Sequence, residues 1–335
     1  MTKISVITPV YKAEKYIERC VRSLMEQTIL EDIEFIFVND CTPDNSMEIL
    51  YTIISEYPHR KEQITILNNK TNLGPSDSRK RAIDVAKGEY IGCCDSDDWV
   101  EKEMYEKLYN NTQNGKIDIV ISDYYYEKNA KQSIHRFIPS NTPQDALAKM
   151  NDNKYFSYAM WNQIIRRTII KEQIKHIIAT KLREDTFLMM RAYCYAKHIQ
   201  FIPIPLYHYW IVNETSLCHN VDRSMNAWFK QKENMDSITQ LLYSVNYNKF
   251  HKGVNLFKYM LKQEYRKTFP NLKTYYYAFR ESHSYYVKES NKTCNSFINR
   301  LKTKIVWDSF YYFFWLYYRK KSKSSMEKDT STVLK

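Results

Sequence analysis

Glycine is scarce in this chain, five in 335 residues. None stands in a G-x-G-x-x-G or P-loop arrangement, which excludes the usual dinucleotide-dependent oxidoreductases and P-loop kinases. The seven cysteines contain no C-x-x-C, and Cys93 and Cys94 are neighbours on one predicted strand, so neither a zinc site nor a disulfide framework is supported. Reduced thiols in a cytoplasmic setting fit that pattern. No apolar run reaches the roughly twenty residues needed to cross a bilayer. The N-terminus passes straight into a predicted strand, so no signal peptide is expected. Acidic residues are in the minority: the formal net charge is +12. Charge alone would suggest nucleic acid, with tyrosines as stacking platforms. The cations are concentrated in the C-terminal tail and the N-terminal half carries an acidic cluster, so no nucleic-acid partner is expected.

The N-terminal half alternates strand and helix patterns. Lys3 to Thr8 is a β-branched run closed by Pro9. Tyr16 to Gln27 carries Ile17, Cys20, Val21 and Leu24 at helical spacing. Ile33 to Val38 is a second strand, followed by a turn in which Thr42 is a candidate N-cap and Pro43 the first helical residue. Ile64 to Leu67 leads through Asn72-Leu73-Gly74-Pro75 into a helix over Ser76 to Lys87, closed by Gly88, and Tyr90 to Cys94 is the fourth strand. Such alternation predicts right-handed crossovers and an α/β fold with a mainly parallel sheet covered by helices on both faces. Ligands of these sheets bind at the carboxyl ends of the strands. The turns at Pro9-Val10-Tyr11, Asn39-Asp40 and Asp95 to Asp98 should therefore share one rim. Further on, Ile117 to Ser122 reads as a strand before the Tyr-rich segment Asp123 to Tyr126, and Gln200 to Trp210 as a strand held near an edge by Pro203 and Pro205. A helix pattern begins at Val100.

The densest chemistry lies in Asp95-Ser96-Asp97-Asp98. Carboxylates crowded at the end of a buried strand need compensation. A hard divalent ion, Mn2+ or Mg2+, supplies it through one or two carboxylates and the phosphates of a substrate. The competing reading is a helix N-terminus, with Asp95 or Ser96 as cap and the other carboxylates favoured by the dipole. Glu184-Asp185 has the same ambiguity, since the pair opens a helical pattern over Thr186 to Tyr195. Arg79, Lys80 and Arg81 read equally as a solvated basic face. His219 is a conceivable metal ligand, but a lone histidine is more often a surface residue.

In their order, Pro9-Val10-Tyr11, Glu34 to Asp40, Asn72-x-Gly74 with Ser78-Arg79, Asp95-x-Asp97-Asp98 and Glu184-Asp185 resemble the family-2 glycosyltransferases of the GT-A fold. The resemblance covers residues 1 to about 217. It implies a nucleotide sugar, most often a UDP sugar, across the strand ends. Pro9, Tyr11, Asp40, Asn72, Arg79, Asp95 and Ser96 would then line the donor site, with Tyr11 against the uracil, Asp40 accepting from the base and Asp95 near the ribose. Asp97 would hold the metal, Asp185 would be the catalytic base, and Glu184 would orient it or bind an acceptor hydroxyl. Trp161-Asn162 falls where the family has a Trp-Asn on the acceptor side. An inverting transferase needs a carboxylate to take the acceptor proton, and the metal offsets charge on the departing diphosphate.

The chain departs from the family pattern at Lys12, Asn39, Cys41 and Trp210. Cys41 in place of a Gly implies a turn that does not need positive φ. Trp210 stands where an Arg is common: it either offers a flat wall to a sugar or packs in the core. From about Asp222 strand patterns cease. Residues 1–220 read as the transferase domain and 221–335 as a helical, aromatic and basic region with a disordered end. There the apolar block Phe310 to Tyr318, with Lys302, Lys304, Arg319, Lys320, Lys321 and Lys323 around it, is either a peripheral membrane contact on the cytoplasmic face or a subdomain packed on the core. The expected partners are a nucleotide sugar and a lipid-linked or polysaccharide acceptor. The alternative function is a catalytically silent nucleotide-binding relative acting within a membrane assembly.

Overall fold

The structure is a computed structural model and describes residues 2–129, 131–150, 152–179, 183–211 and 224–264. The expected block at Phe310 to Tyr318 and His219 lie outside the described residues. Two compact units divide the chain, residues 1–254 and 255–335.

The first unit is built on strands β1 (Ile4–Val10), β2 (Ile33–Asn39), β3 (Ile64–Asn68), β4 (Tyr90–Cys93), β5 (Trp99–Val100), β6 (Ile119–Lys128), β7 (Lys131–His135), β8 (Gln163–Arg166) and β9 (Ile199–Trp210). Their order is β3-β2-β1-β4-β8-β6-β9-β5, with β7 hairpinned on β6. Pairings β3-β2, β2-β1, β1-β4 and β6-β9 are parallel; β8 runs antiparallel to both neighbours. Helices α1 (Ile17–Met25), α2 (Ser46–Ser55) and α3 (Pro75–Val85) are the crossovers, and α4 (Met104–Asn110), α5 (Pro143–Ala148), α6 (Arg167–Gln173) and α7 (Glu184–Tyr195) complete the covering layers. α8 spans Met225–Glu264 and breaks at Asn246 (φ −165°, ψ 98°). Nearly every residue of β1 and β2 is buried, as expected of strands with helices on both faces. The chain moves outward from β1 to β3 and then returns to β1's other side as β4. That reversal opens a crevice above the carboxyl ends of β1 and β4.

Several local expectations are corrected. No helix begins at Val100, because Trp99 and Val100 pair antiparallel with His208 and Tyr207; the helix starts at Met104. Thr42 does not cap α2, which begins at Ser46 behind Asn45. Its hydroxyl accepts from the Lys12 amide and donates to Asp44 instead, tying the loop after β1 to the loop after β2. The Tyr-rich segment continues β6 rather than following it. β9 is no simple edge: it lies between β6 and β5, and its prolines sit where the β6 register jumps from Ser122–Ile202 to Asp123–Pro205. A bulge is one of the few places a sheet tolerates proline.

Gly88 does not close α3, which ends at Val85. It is small for another reason: a Cβ there would lie 2.4 Å from the Ser5 amide nitrogen. The Gly88 and Lys87 amides and the Ser5 hydroxyl all donate to the buried Glu34 carboxylate, which locks the turn entering β4 against β1 and β2.

Candidate active site

Three loops meet in the crevice, and each carries a left-handed residue: Lys12 after β1 (φ 52°), Cys41 after β2 (φ 56°) and Gly74 before α3 (φ 86°). Cys41 therefore contradicts the expected turn. It keeps the positive φ that a glycine would supply, at a steric cost the tied loops must absorb. Asp40, 3% exposed, organises the third loop. Its Oδ1 accepts from Asn69 Nδ2 (2.7 Å) and the Leu73 amide (2.8 Å), and its Oδ2 from the Gly74 amide (2.8 Å). A carboxylate offers about four acceptor directions, so one on Oδ2 stays open. Tyr11 presents its ring at the rim, 41% exposed, with Lys12 Nζ 5.5 Å from the ring centre. Pro9 is half-buried, in register with Val38. Asn72 is exposed on the loop held by Asp40, and Ser96 is half-buried.

Arg79 is no part of a solvated face. It is 5% exposed and draws together three carboxylates from distant parts of the chain. Nη1 donates to Glu184 Oε1 at 2.9 Å and Asp185 Oδ1 at 2.7 Å, and Nη2 to Asp95 Oδ1 at 2.8 Å. α3 thus delivers one cation, β4's end one anion and α7's first turn two. Burial disfavours the guanidinium charge, but the carboxylates of Asp185, Asp95 and Glu184 hold its pKa well above the ordinary value. One cation cannot fully offset three anions. Burial, and then the neighbouring Glu184 and Asp95 charges, push the Asp185 carboxyl up to about 8 against the pull of Arg79. Glu184 is raised as well, chiefly by burial.

The acidic turn itself divides. Asp95 and Asp97 are half-exposed, whereas Asp98 is fully buried, so the expectation that all of Asp95 to Asp98 share the rim is corrected. Asp98 accepts from the Tyr207 hydroxyl (2.7 Å) and the Trp210 amide (2.7 Å), and Tyr207's oxygen accepts from the Asp95 amide (3.1 Å). Burial and the nearby Asp97 and Asp95 charges raise its pKa well above the usual range. Its task is to pin the turn to β9. Trp161 is packed, 8% exposed, and stacks on Tyr207 (4.4 Å) and Tyr209 (5.3 Å). Trp210 is half-buried beside Trp99 (6.3 Å). Trp161 offers no free face, whereas Trp210 keeps part of its surface exposed. Tyr207 and Asn69 were invisible as site residues in the sequence: a tyrosine inside a strand and one Asn among several carry no positional signal.

This sheet, with its crevice at the β1/β4 reversal, is a GT-A fold. Residues 5–174, just over half the chain, match glycosyl transferase family 2, and the chain belongs to that family. It is 33% identical over 220 residues to the glycosyltransferase GlyG of Streptococcus pneumoniae, covering 62% of this chain and 70% of that protein. It is 30% identical over 219 residues to the putative glycosyltransferase EpsH of Bacillus subtilis, covering 62% of this chain. The chain spans 60% of EpsH's length. The poly(ribitol-phosphate) beta-glucosyltransferase of Bacillus spizizenii is 31% identical over 212 residues, 62% of this chain and 32% of that one. In fold, the crystal structure of S. aureus TarS 1–349 in complex with UDP-GlcNAc superimposes with a TM-score of 0.59 at 21% identity, over 71% of this chain and 66% of TarS 1–349.

A carboxyl raised by burial ionises late, and a base works only when ionised. If Asp185 is that base, kcat/KM should rise with pH along a limb centred well above the ordinary carboxylate value, toward 8. Steady-state rates from pH 5 to 9 measure this; a limb near pH 4 contradicts it.

Proposed function

We propose that this chain is an inverting glycosyltransferase that moves a sugar from a UDP sugar to a hydroxyl of a lipid-linked or polysaccharide acceptor, with Asp185 as general base. The observation that carries the reading is the Arg79 clamp, which sets Asp185 beside the Asp95 end of the acidic turn in the crevice. Base and leaving group must act on opposite sides of one anomeric carbon, so the two carboxylate sites have to be neighbours. In this reading the exposed Tyr11 ring stacks on uracil, and the open direction on Asp40 Oδ2 accepts from the base. Pro9, Asn72 and Ser96 line the remaining donor surface. Asp95 borders the ribose and diphosphate, Arg79 acts from beneath by fixing carboxylates, and Glu184 shares Arg79 with Asp185. Packed Trp161 and half-buried Trp210 back the acceptor side.

Half-exposed Asp97 and Asp95 are hard oxygen donors that suit Mn2+ or Mg2+. Among the described residues no three His, Cys, Asp or Glu side chains converge to hold an ion by themselves, so phosphate oxygens and water would complete its shell. The ion would neutralise charge on the departing diphosphate. Asp185 accepts the acceptor hydroxyl's proton, and the surrounding burial keeps that carboxyl basic enough to do so.

The Asp185→Asn variant keeps the shape and loses the base. It should bind UDP as the parent does in calorimetry while turnover falls by about a hundredfold or more. Turnover at the parental rate would move the base elsewhere.

We also infer peripheral contact with the cytoplasmic face of a membrane, supported by the aromatic and basic composition of residues 302–323. Among the described residues no helix is long and apolar enough to cross a bilayer. The full chain should sediment with anionic vesicles at low salt and be released as salt screens the attraction. Failure to sediment at low salt contradicts this.

A further inference from the structure

Arg19, on α1, has no part in the sequence pattern that points to the site, yet it reaches the acidic turn. Its guanidinium carbon lies 3.4 Å from the centre of the Trp99 ring and 5.2 Å from that of Trp210. Nη2 donates to the main-chain oxygen of Asp97 at 3.0 Å. Asp97, Asp98 and Trp99 are thereby each fixed separately. Asp98 is held by Tyr207 and Trp210, Asp97 by Arg19, and Trp99 by the stack of Arg19 and His208, the latter 4.6 Å away and nearly parallel. His208 is held in turn by Glu127 (2.8 Å) and Glu101 (3.0 Å).

The charge arrangement is equally specific. Asp97, Asp98 and Glu127 all attract this guanidinium, and it forms no carboxylate ion pair within 4.0 Å among the described residues. Its Nε, like the Trp210 indole N–H, is buried without a hydrogen-bond partner. A partly buried cation with an unsatisfied donor is expensive to keep. Packing alone would be served by an apolar side chain over the two indoles. What an apolar side chain cannot do is hold the Asp97 carbonyl and lower the repulsion between adjacent carboxylates.

We propose that Arg19 is the positioning residue of the metal-binding turn. It fixes the Asp97 backbone, and with it the direction of the Asp97 carboxylate, and it supplies from α1 positive charge beside position 210, where the tryptophan brings none. The proposal rests on the reading of Asp97 as a metal ligand, and the test separates the two.

The test is calorimetric binding of UDP to the full chain with MnCl2 and with chelator, in the parent, Arg19→Met and Arg19→Lys. Met keeps the apolar contact with the indoles but no donor; Lys keeps a charge and a donor but not the planar fork. If Mn2+ does not tighten UDP binding in the parent, the metal reading itself fails. Where it does, Arg19→Met should lose about tenfold or more of that Mn2+-dependent gain, the range typical of second-sphere partners. Its affinity in chelator should stay at the parental value, and Arg19→Lys should fall between. An unchanged gain in Arg19→Met overturns the proposal, and so does an equal loss with and without Mn2+, which is the mark of a purely structural role. If Arg19→Met does not fold, Arg19→Lys decides by the same comparison.

Discussion

Everything else in the site depends on one buried guanidinium. Arg79 bonds to Asp95, Glu184 and Asp185 at 2.7–2.9 Å, and the last two stand more than a hundred residues away in sequence. Removing one member of a buried ionic cluster typically costs about 3–5 kcal/mol, because the remaining charges lose compensation inside the protein. The arrangement is therefore an electrostatic constraint on the fold. The start of α7 must come to the end of β4, since nowhere else among these elements are its two buried carboxylates met by this cation. The same cluster is buried, and that burial, with the neighbouring Glu184 and Asp95 charges added, keeps the Asp185 carboxyl raised against the pull of Arg79.

A second set of bonds fixes the acidic turn. The acidic turn is tied to β9 through Asp98, Tyr207 and Trp210, and to α1 through Arg19. Asp95 is held on both sides, by Arg79 at its carboxylate and by Tyr207 at its amide. In the proposed reading, pre-set geometry of this kind reduces what a nucleotide must order for itself. The rim facing it is fixed in a comparable way: Asp40 gathers the loop before α3, and Thr42 joins the loops after β1 and β2.

The parallel half of the sheet was legible in the sequence because its strands are short, apolar and separated by helical periodicity. The rim followed from topology. Glu184 and Asp185 were legible by their order after the acidic turn, although acidity at a helix start says nothing by itself. Arg79 was ambiguous for a physical reason: helical spacing gives the face, and only the distant carboxylates make that face buried. Asp98 misled because the turn, closed by the Asp98 amide on the Asp95 carbonyl, buries its last carboxylate and leaves the identical neighbour half-exposed. Cys41 misled because a cysteine held by tied loops can adopt a backbone that its residue type disfavours. Val100 looks like the start of an amphipathic helix until β9, far downstream, supplies a partner strand.

The central claim is that Arg79 and Asp185 act as one unit. A double-mutant cycle on kcat, with Arg79→Gln, Asp185→Asn and the pair together, measures it directly. Groups that act as a unit are non-additive. The account predicts that either single change removes most of the turnover and that the double variant is little worse than Asp185→Asn alone. Independent effects, with the two losses multiplying in the double variant, would contradict it.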